Sequence, residues 1–169
     1  MARFTEGNAV SDHVRAELAF DPIHAAAWLD DLRRRGGGHG ALVSFEGVVR
    51  SVTKEGEPLD RLVLDHHPRM TATSLVRIAN DGGARFDVNA VSVVHRAGAM
   101  SPGEIIVLVA VASDHRRAAF QCADYLMDRL KTEAVFWKRE EGPFGTRWIE
   151  PTKRDTEDRE RWNEENAGG

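Results

Sequence analysis

The strongest pattern in the chain lies between Glu104 and Arg139. Residues 104–112 read EIIVLVAVA, a continuous β-branched run whose composition predicts a strand buried on both faces. It feeds directly into SDHRRAAFQCADYLMDRLKTEAVFWKR. There Ala119, Cys122, Leu126 and Leu130 recur at helical spacing, which predicts an amphipathic helix. Ser113 or Asp114 can cap it. Asp114, Asp124 and Asp128, with Arg117 and Arg129, can form its wet face. A tight turn at Thr132-Glu133-Ala134 then leads into a short strand, VFWKRE, and is expected to bring the Lys131 and Lys138 amines to one pocket, opposite a wall formed by Arg50 and the His115-Arg116 turn.

The rest of the chain supplies further elements. Val10 to Phe20 reads as an edge strand. Asp21-Pro22 reads as N-cap and first residue of a helix with Ile23, Ala26/Ala27 and Leu29/Leu32 on its apolar stripe. Arg33, Arg34 and Arg35 suit the negative end of that helix, and Gly36-Gly37-Gly38 stops it. GALVSFEGVVR, from Gly40 to Arg50, predicts a strand in which Gly47 marks a bulge or a close approach. After the polar and mobile turn SVTKEGEP, Leu59 to His67 returns as its hairpin partner. Thr71 or Thr73 starts a short helix through Ile78, ended by Asp81-Gly82-Gly83. Val88 to Arg96 is a strand that delivers His95 and Arg96 at its end, and Gly98 to Gly103 is a loop. EGPFGT is a turn, and Arg147-Trp148-Ile149 makes a last short strand. The expected organisation is one domain over residues 1–150 and a polar C-terminal tail over 151–169. In that tail Asp155 to Glu165 is either a helix that folds against a partner or a frayed end.

Composition narrows the class. With 169 residues, 41% hydrophobic and 30% charged, the chain can bury a single core. A net charge of -4 argues against broad nucleic-acid binding by Arg33–Arg35 or Arg116–Arg117. The single cysteine, Cys122, allows no internal disulfide and sits on the apolar stripe as a structural thiol. His66 and His67 are adjacent and would point to opposite faces of a strand, a poor joint metal site. No apolar run reaches membrane-spanning length, and MARFTEGNAV has no signal-peptide core, so a cytoplasmic location is expected. The terminal Gly168-Gly169 suggests a sulfur-carrier tail only superficially, because a polar helical segment rather than a β-grasp domain precedes it.

Candidate chemistry concentrates at both ends of the Ser113 helix. His115, Arg116 and Arg117 crowd its start, where the dipole disfavours cations by ~0.3–1 kcal/mol each. The turn is either a solvated basic face or an anion site built on a helix N-terminus. Lys131 occupies the last turn, where a cation suits the dipole. Lys138 follows Phe136 and Trp137, and desolvation by those rings would lower its pKa and make it a usable base; the plainer reading is a strand-end lysine in water.

GALVSFEGVVR, LDHHPRM, VVHRAG, SDHRRAAF, LKTEAVFWKRE and RWIE, in that order over residues 40–150, resemble the large, catalytic subunit of molybdopterin synthase. The resemblance implies an α+β fold of the α/β-hammerhead type with an antiparallel β-sheet subdomain. It implies a homodimer at the centre of a heterotetramer, each chain taking a small sulfur-carrier subunit that ends in a Gly-Gly thiocarboxylate. It implies transfer of two sulfurs to cyclic pyranopterin monophosphate, with no metal or redox cofactor. On this chain the family's catalytic lysines fall on Lys131 and Lys138. Its substrate-binding positions fall on Val48, Val49, Arg50, His115, Arg116, Lys131, Lys138, Arg139 and Glu140. A basic residue from the other protomer also reaches the family's pocket; around Thr152, Lys153 and Arg154 no position here matches it. The competing reading is a non-catalytic anion-binding scaffold of the same fold, which the presence of both lysines disfavours.

Overall fold

The computed structural model describes residues 9–10 and 13–164. In chain order the elements are β1 (Ala9–Val10), β2 (Val14–Ala19), α1 (Ala25–Gly36), β3 (Ala41–Val48), β4 (Arg61–His66), α2 (Met70–Arg85) and β5 (Ala90–Arg96). There follow β6 (Gly98–Met100), β7 (Ile105–Ser113), α3 (Arg116–Glu133), β8 (Phe136–Gly142), β9 (Gly145–Ile149) and α4 (Lys153–Glu164). They build two sheets, one in the order β1-β2-β5-β7-β3 and one in the order β6-β4-β8-β9. All pairings are antiparallel except β2 with β5. The α+β expectation is met.

β7 is the middle of the larger core. Val107, Val109 and Val111 face a cluster containing Leu75, Ile78, Cys122, Leu126 and Trp162, contributed by α2, α3 and α4. Leu108, Ala110 and Ala112 face Trp28 and Leu32 of α1. The sheet therefore lies between one helix and three, and the strand predicted to be buried on both faces is. A smaller cluster of Val49, Leu59, Leu62, Leu64 and Met100, with Phe136 and Phe144 against it, joins the second sheet to the first.

Several expectations are corrected. β3 and the Leu59–His67 segment do not form a hairpin. β3 pairs with β7 at the edge of the first sheet, while β4 pairs with β6 and β8 in the second. The SVTKEGEP loop is tied down rather than mobile: Val52 bridges Pro58, Thr53 N–H donates to Glu57 O at 2.9 Å, and Arg147 pairs with Glu55 and Glu57. β2 lies inside its sheet, flanked by β1. α1 starts after His24 rather than at Pro22, and its buried anchors include Trp28 while Ala26 and Ala27 are exposed. The loop at 98–103 contains β6. α2 runs through Asp81-Gly82-Gly83 to Arg85 instead of ending there. Gly82 is a packing device: a Cβ on it would meet Leu126 Cδ2 at 2.6 Å, so glycine permits α2 to sit hard against α3.

The predicted bulge at Gly47 is present as a register shift between Gly47 and Val48. A Cβ at Gly47 would lie 2.8 Å from Val107 Cγ1. The bulge re-aims the strand end, so Val48 is exposed while Val49 turns into the cluster between the sheets.

The polar tail folds on its own chain. Thr152 caps α4, its N–H donating to Asp155 Oδ2 at 2.8 Å and its Oγ1 accepting from Asp155 N–H at 3.2 Å. Trp162 is buried, packs edge-on to Tyr125 and Phe86, and donates from Nε1 to Asp128 Oδ2 at 2.7 Å. Asp128 is therefore inside, not on the wet face assigned to it from the sequence. Glu165 and the Gly168-Gly169 pair lie outside the described residues.

Candidate active site

Lys138 sits in β8 between Leu64 of β4 and Ile149 of β9. Strand alternation puts Phe136, Lys138 and Glu140 on one face, and Leu64 and Phe136 belong to the cluster between the sheets. Lys138 is half-buried there, and its pKa is lowered, chiefly by desolvation. Arg50, Lys131 and Lys54 push it further down, and Glu140 alone pulls it back up. Trp137 takes the opposite face and is 52% exposed, so it does not dry the Lys138 amine. Phe136 is the aromatic neighbour on the right side. It stacks on the buried His95 with ring centroids 4.3 Å apart.

Arg139 also faces outward. Its guanidinium pairs with Asp65 and Glu141 and lies 5.5 Å from the Trp148 ring. The structure thus separates Arg139 from the Lys138–Glu140 face. That division was readable from alternation alone.

Lys131 ends α3, with its side chain exposed and Nζ 3.4 Å from Asp155 Oδ1. The connection to β8 is Ala134-Val135, one step later than expected, because the helix continues through Glu133. It is pinned to α2: Val135 N–H donates to Ser74 Oγ at 3.3 Å, and Thr71 Oγ1 donates to Val135 O. Arg50 follows the buried Val49 at the end of β3 and is exposed. Lys54, overlooked in the sequence as part of a polar turn, joins this cationic group because the ordered 51–58 loop brings it near Lys138.

His115 and Arg116 lie elsewhere. His115 is the N-cap of α3 and makes no side-chain cap, so the first-turn N–H groups stay open. Neither Ser113 nor Asp114 supplies the cap: Ser113 Oγ accepts from His115 N–H at 3.3 Å and donates to Asp87 O at 2.8 Å, while Asp114 accepts from Asn89. With Arg117, Phe120 and Gln121, the pair lines an open groove. Among the described residues no carboxylate pairs with Arg116 or Arg117. Arg116 and Lys131 stand at opposite ends of α3, roughly 22 Å apart at about 1.5 Å per residue. The β3–β7 ladder shows the same divide, with Ser113 opposite Ala41 at one end and Ile105 opposite Val48 at the other. One chain therefore holds two cationic sites, a lysine cluster and a helix-start groove. The expectation that both form facing walls of one pocket within the chain is corrected. Among the described residues no group of three or more His, Cys, Asp or Glu side chains could hold a metal ion.

The MoaE protein family model matches residues 18–133, which include Arg50, His115, Arg116 and Lys131. The molybdopterin synthase catalytic subunit of Caulobacter vibrioides is 46% identical over 126 residues, 75% of this chain and 82% of that protein.

This chain belongs to the MoaE family.

A solved member, the molybdopterin biosynthesis MoaE protein from Burkholderia ambifaria, superposes with a TM-score of 0.74 at 36% identity, covering 89% of this chain and 97% of its own. The fold recurs in a protein–protein complex of subunits 1 and 2 of molybdopterin-converting factor from Helicobacter pylori. That match has a TM-score of 0.64 at 16% identity, over 82% of this chain and 90% of the other. Of the lysine cluster, Arg50, Lys54 and Lys131 lie within the matched span and Lys138 lies just beyond it. Among the described residues no helix is long and apolar enough to cross a membrane.

Proposed function

We infer that this chain is the catalytic subunit of a molybdopterin synthase, a sulfurtransferase of molybdenum cofactor biosynthesis that works with a small partner subunit. Sulfur passes from the partner's C-terminal thiocarboxylate to cyclic pyranopterin monophosphate and builds a dithiolene. The observation that carries this reading is the half-buried Lys138, its pKa lowered by desolvation and by Arg50, Lys131 and Lys54 around it. Such a group suits a doubly anionic encounter, a phosphate ester meeting a thiocarboxylate.

Each residue has a role in that encounter. Arg50 holds the phosphate. Once the thiocarboxylate sulfur has bonded to the pterin side chain, an acyl group remains on it and water must remove that group. The tetrahedral oxyanion of that hydrolysis is what the Lys131 ammonium stabilises. Lys138, poised by its lowered pKa, exchanges the protons that ring opening of the cyclic phosphate and sulfur transfer require. The His115–Arg116 groove, too far along α3 to serve the same chain's lysines, serves those of a second copy. Among the described residues β3 is the outer strand of its sheet, with Phe45 and Val48 exposed, a surface suited to such a copy.

The test is dithiolene formation from purified cyclic precursor and thiocarboxylated carrier. Lys131→Ala and Lys138→Ala should each lose on the order of a hundredfold or more in rate while staying folded by circular dichroism. Lys138→Arg should stay inactive, because arginine cannot exchange a proton at neutral pH. Near-normal turnover of either alanine variant would remove that lysine from the mechanism, and full rescue by arginine would reduce Lys138 to a fixed charge.

A further inference from the structure

Arg96 ends β5 almost wholly buried, at 5% exposure. Its guanidinium donates to Glu104 Oε1 at 2.8 Å. The other oxygen of that carboxylate accepts the Ser101 backbone N–H at 2.6 Å, and Glu104 N–H donates to Ser101 O at 3.1 Å. One ion pair thus closes the loop at 101–104 on itself and ties it to β5. That loop then grips the chain just before Arg50 from both sides. Val49 N–H donates to Glu104 O at 2.9 Å, and Gly103 N–H donates to Val49 O at 2.9 Å. Gly103 reaches this position with a φ of +90°, which glycine adopts without strain. The Val49 side chain is held as firmly, among Leu59, Leu62, Leu64 and Met100.

We propose that Arg96 and Glu104 are positioning residues for Arg50, an ion pair between a buried guanidinium and a partly exposed carboxylate whose work is to fix the strand end that presents the Arg50 guanidinium to the phosphate of the substrate. Stability alone is a poor reason for the pair, because the Glu104 side chain is 33% exposed and ion pairs open to water contribute little. The Nε of Arg96 even lacks a hydrogen-bond partner. What apolar side chains cannot supply is the two-sided hydrogen bonding from one carboxylate, which sets the loop and hence Val49 to a single geometry. Beyond the register shift at Gly47 the β7 ladder closes with Val48 opposite Ile105, and the loop at 101–104 takes over as the backbone partner of Val49. The proposal rests on Arg50 being a substrate contact, as inferred above.

The experiment uses Glu104→Ala, Glu104→Gln, Arg50→Ala and the Glu104→Ala/Arg50→Ala double variant, each with its partner subunit. Glu104→Ala should raise the KM for cyclic pyranopterin monophosphate roughly tenfold or more while kcat changes much less. Glu104→Gln, whose amide oxygen accepts only one of the two donors, should recover part of the loss. In the Arg50→Ala background Glu104→Ala should add little, because its effect runs through Arg50. Hydrogen exchange on the chain alone gives a readout independent of turnover. The Val49 and Gly103 amides should exchange about tenfold faster or more in Glu104→Ala, with β7 amides unchanged. A lowered melting temperature with unchanged KM would overturn the proposal, as would a full KM effect on top of Arg50→Ala, or unchanged exchange at Val49. Failure of the wild-type chain to convert the pterin, with exchange still faster at Val49, would sink the sulfurtransferase reading and leave the clamp on Arg50 standing.

Discussion

If the helix-start groove of one chain serves the lysine cluster of another, then two impaired variants should repair each other. Arg116→Ala removes a charge-assisted anion contact, about 1.5–3 kcal/mol, or roughly ten- to a hundredfold in substrate binding. Lys138→Ala removes a proton-transfer group, a loss on the order of a hundredfold or more in rate. Within one chain the two positions cannot share a ligand. Lys138 clusters with Lys131, and α3 carries Arg116 roughly 22 Å from Lys131. In a two-fold dimer every composite site takes Arg116 from one chain and Lys138 from the other. A heterodimer of the two variants, isolated by two different affinity tags, then has one site with both substitutions and one with neither. With substrate below its KM it should show about half the dithiolene-forming activity of the wild-type dimer, while each parent homodimer keeps about a tenth or less. A heterodimer no better than its parents would refute the composite site and return both groups to one chain. A protein that stays monomeric with its carrier bound would do the same.

Two shorter predictions concern buried groups. His95 is fully buried with its pKa lowered from 6.5 to about 4 by desolvation, against a hydrogen bond to Arg96 O that pulls the other way. As pH falls through that window the unfolded chain takes up a proton that the native chain refuses. Stability should therefore drop by ~3 kcal/mol between pH 6.5 and 4, and His95→Phe should flatten that slope in urea titrations; a flat wild-type profile would count against it. Trp162→Ala should cost about 3–5 kcal/mol and free the α4 amides to exchange, because the ring fills a core cluster and its Nε1 holds Asp128; an unchanged melting temperature would mean that α4 is only loosely attached.

β7 and α3 were legible in the sequence because their signals are local: a β-branched run and a helical repeat of apolar residues. The β3–β4 hairpin was not, because chain adjacency does not decide pairing. β3 found β7, and the loop between β3 and β4 crosses from one sheet to the other. Gly82-Gly83 looked like a stop because its purpose lies in α3, where Leu126 needs the space. Asp128 looked wet because the Trp162 that covers it comes much later in the chain. At the site, Arg50, Lys131 and Lys138 do converge, and a family resemblance had already singled them out. The error over His115 and Arg116 was one of length: a helix that joins two functional ends also holds them apart. Lys54 carried no signal, since a polar loop says nothing about which way it folds.

Lys138 should also change its proton affinity when substrate arrives. In the free chain desolvation and the repulsion of Arg50, Lys131 and Lys54 hold its pKa down, with Glu140 in opposition. A phosphate bound at Arg50 adds an anion to that group. At about 4 Å and an effective dielectric constant near 20, one charge contributes about 4 kcal/mol in favour of the ammonium form. The amine is already half-buried in the free chain, so the further drying that substrate brings is the smaller effect. Binding should therefore raise the Lys138 pKa and draw a proton onto it, turning a group set up as a base into an acid just as a phosphate oxygen needs a proton to leave. Calorimetric titration of the cyclic precursor in buffers of different ionisation enthalpy, at a pH where free Lys138 is partly neutral, should show net proton uptake. Lys138→Met should abolish that uptake while the phosphate still binds. Proton release on binding, or uptake that survives in Lys138→Met, would show that Lys138 does not answer to the phosphate.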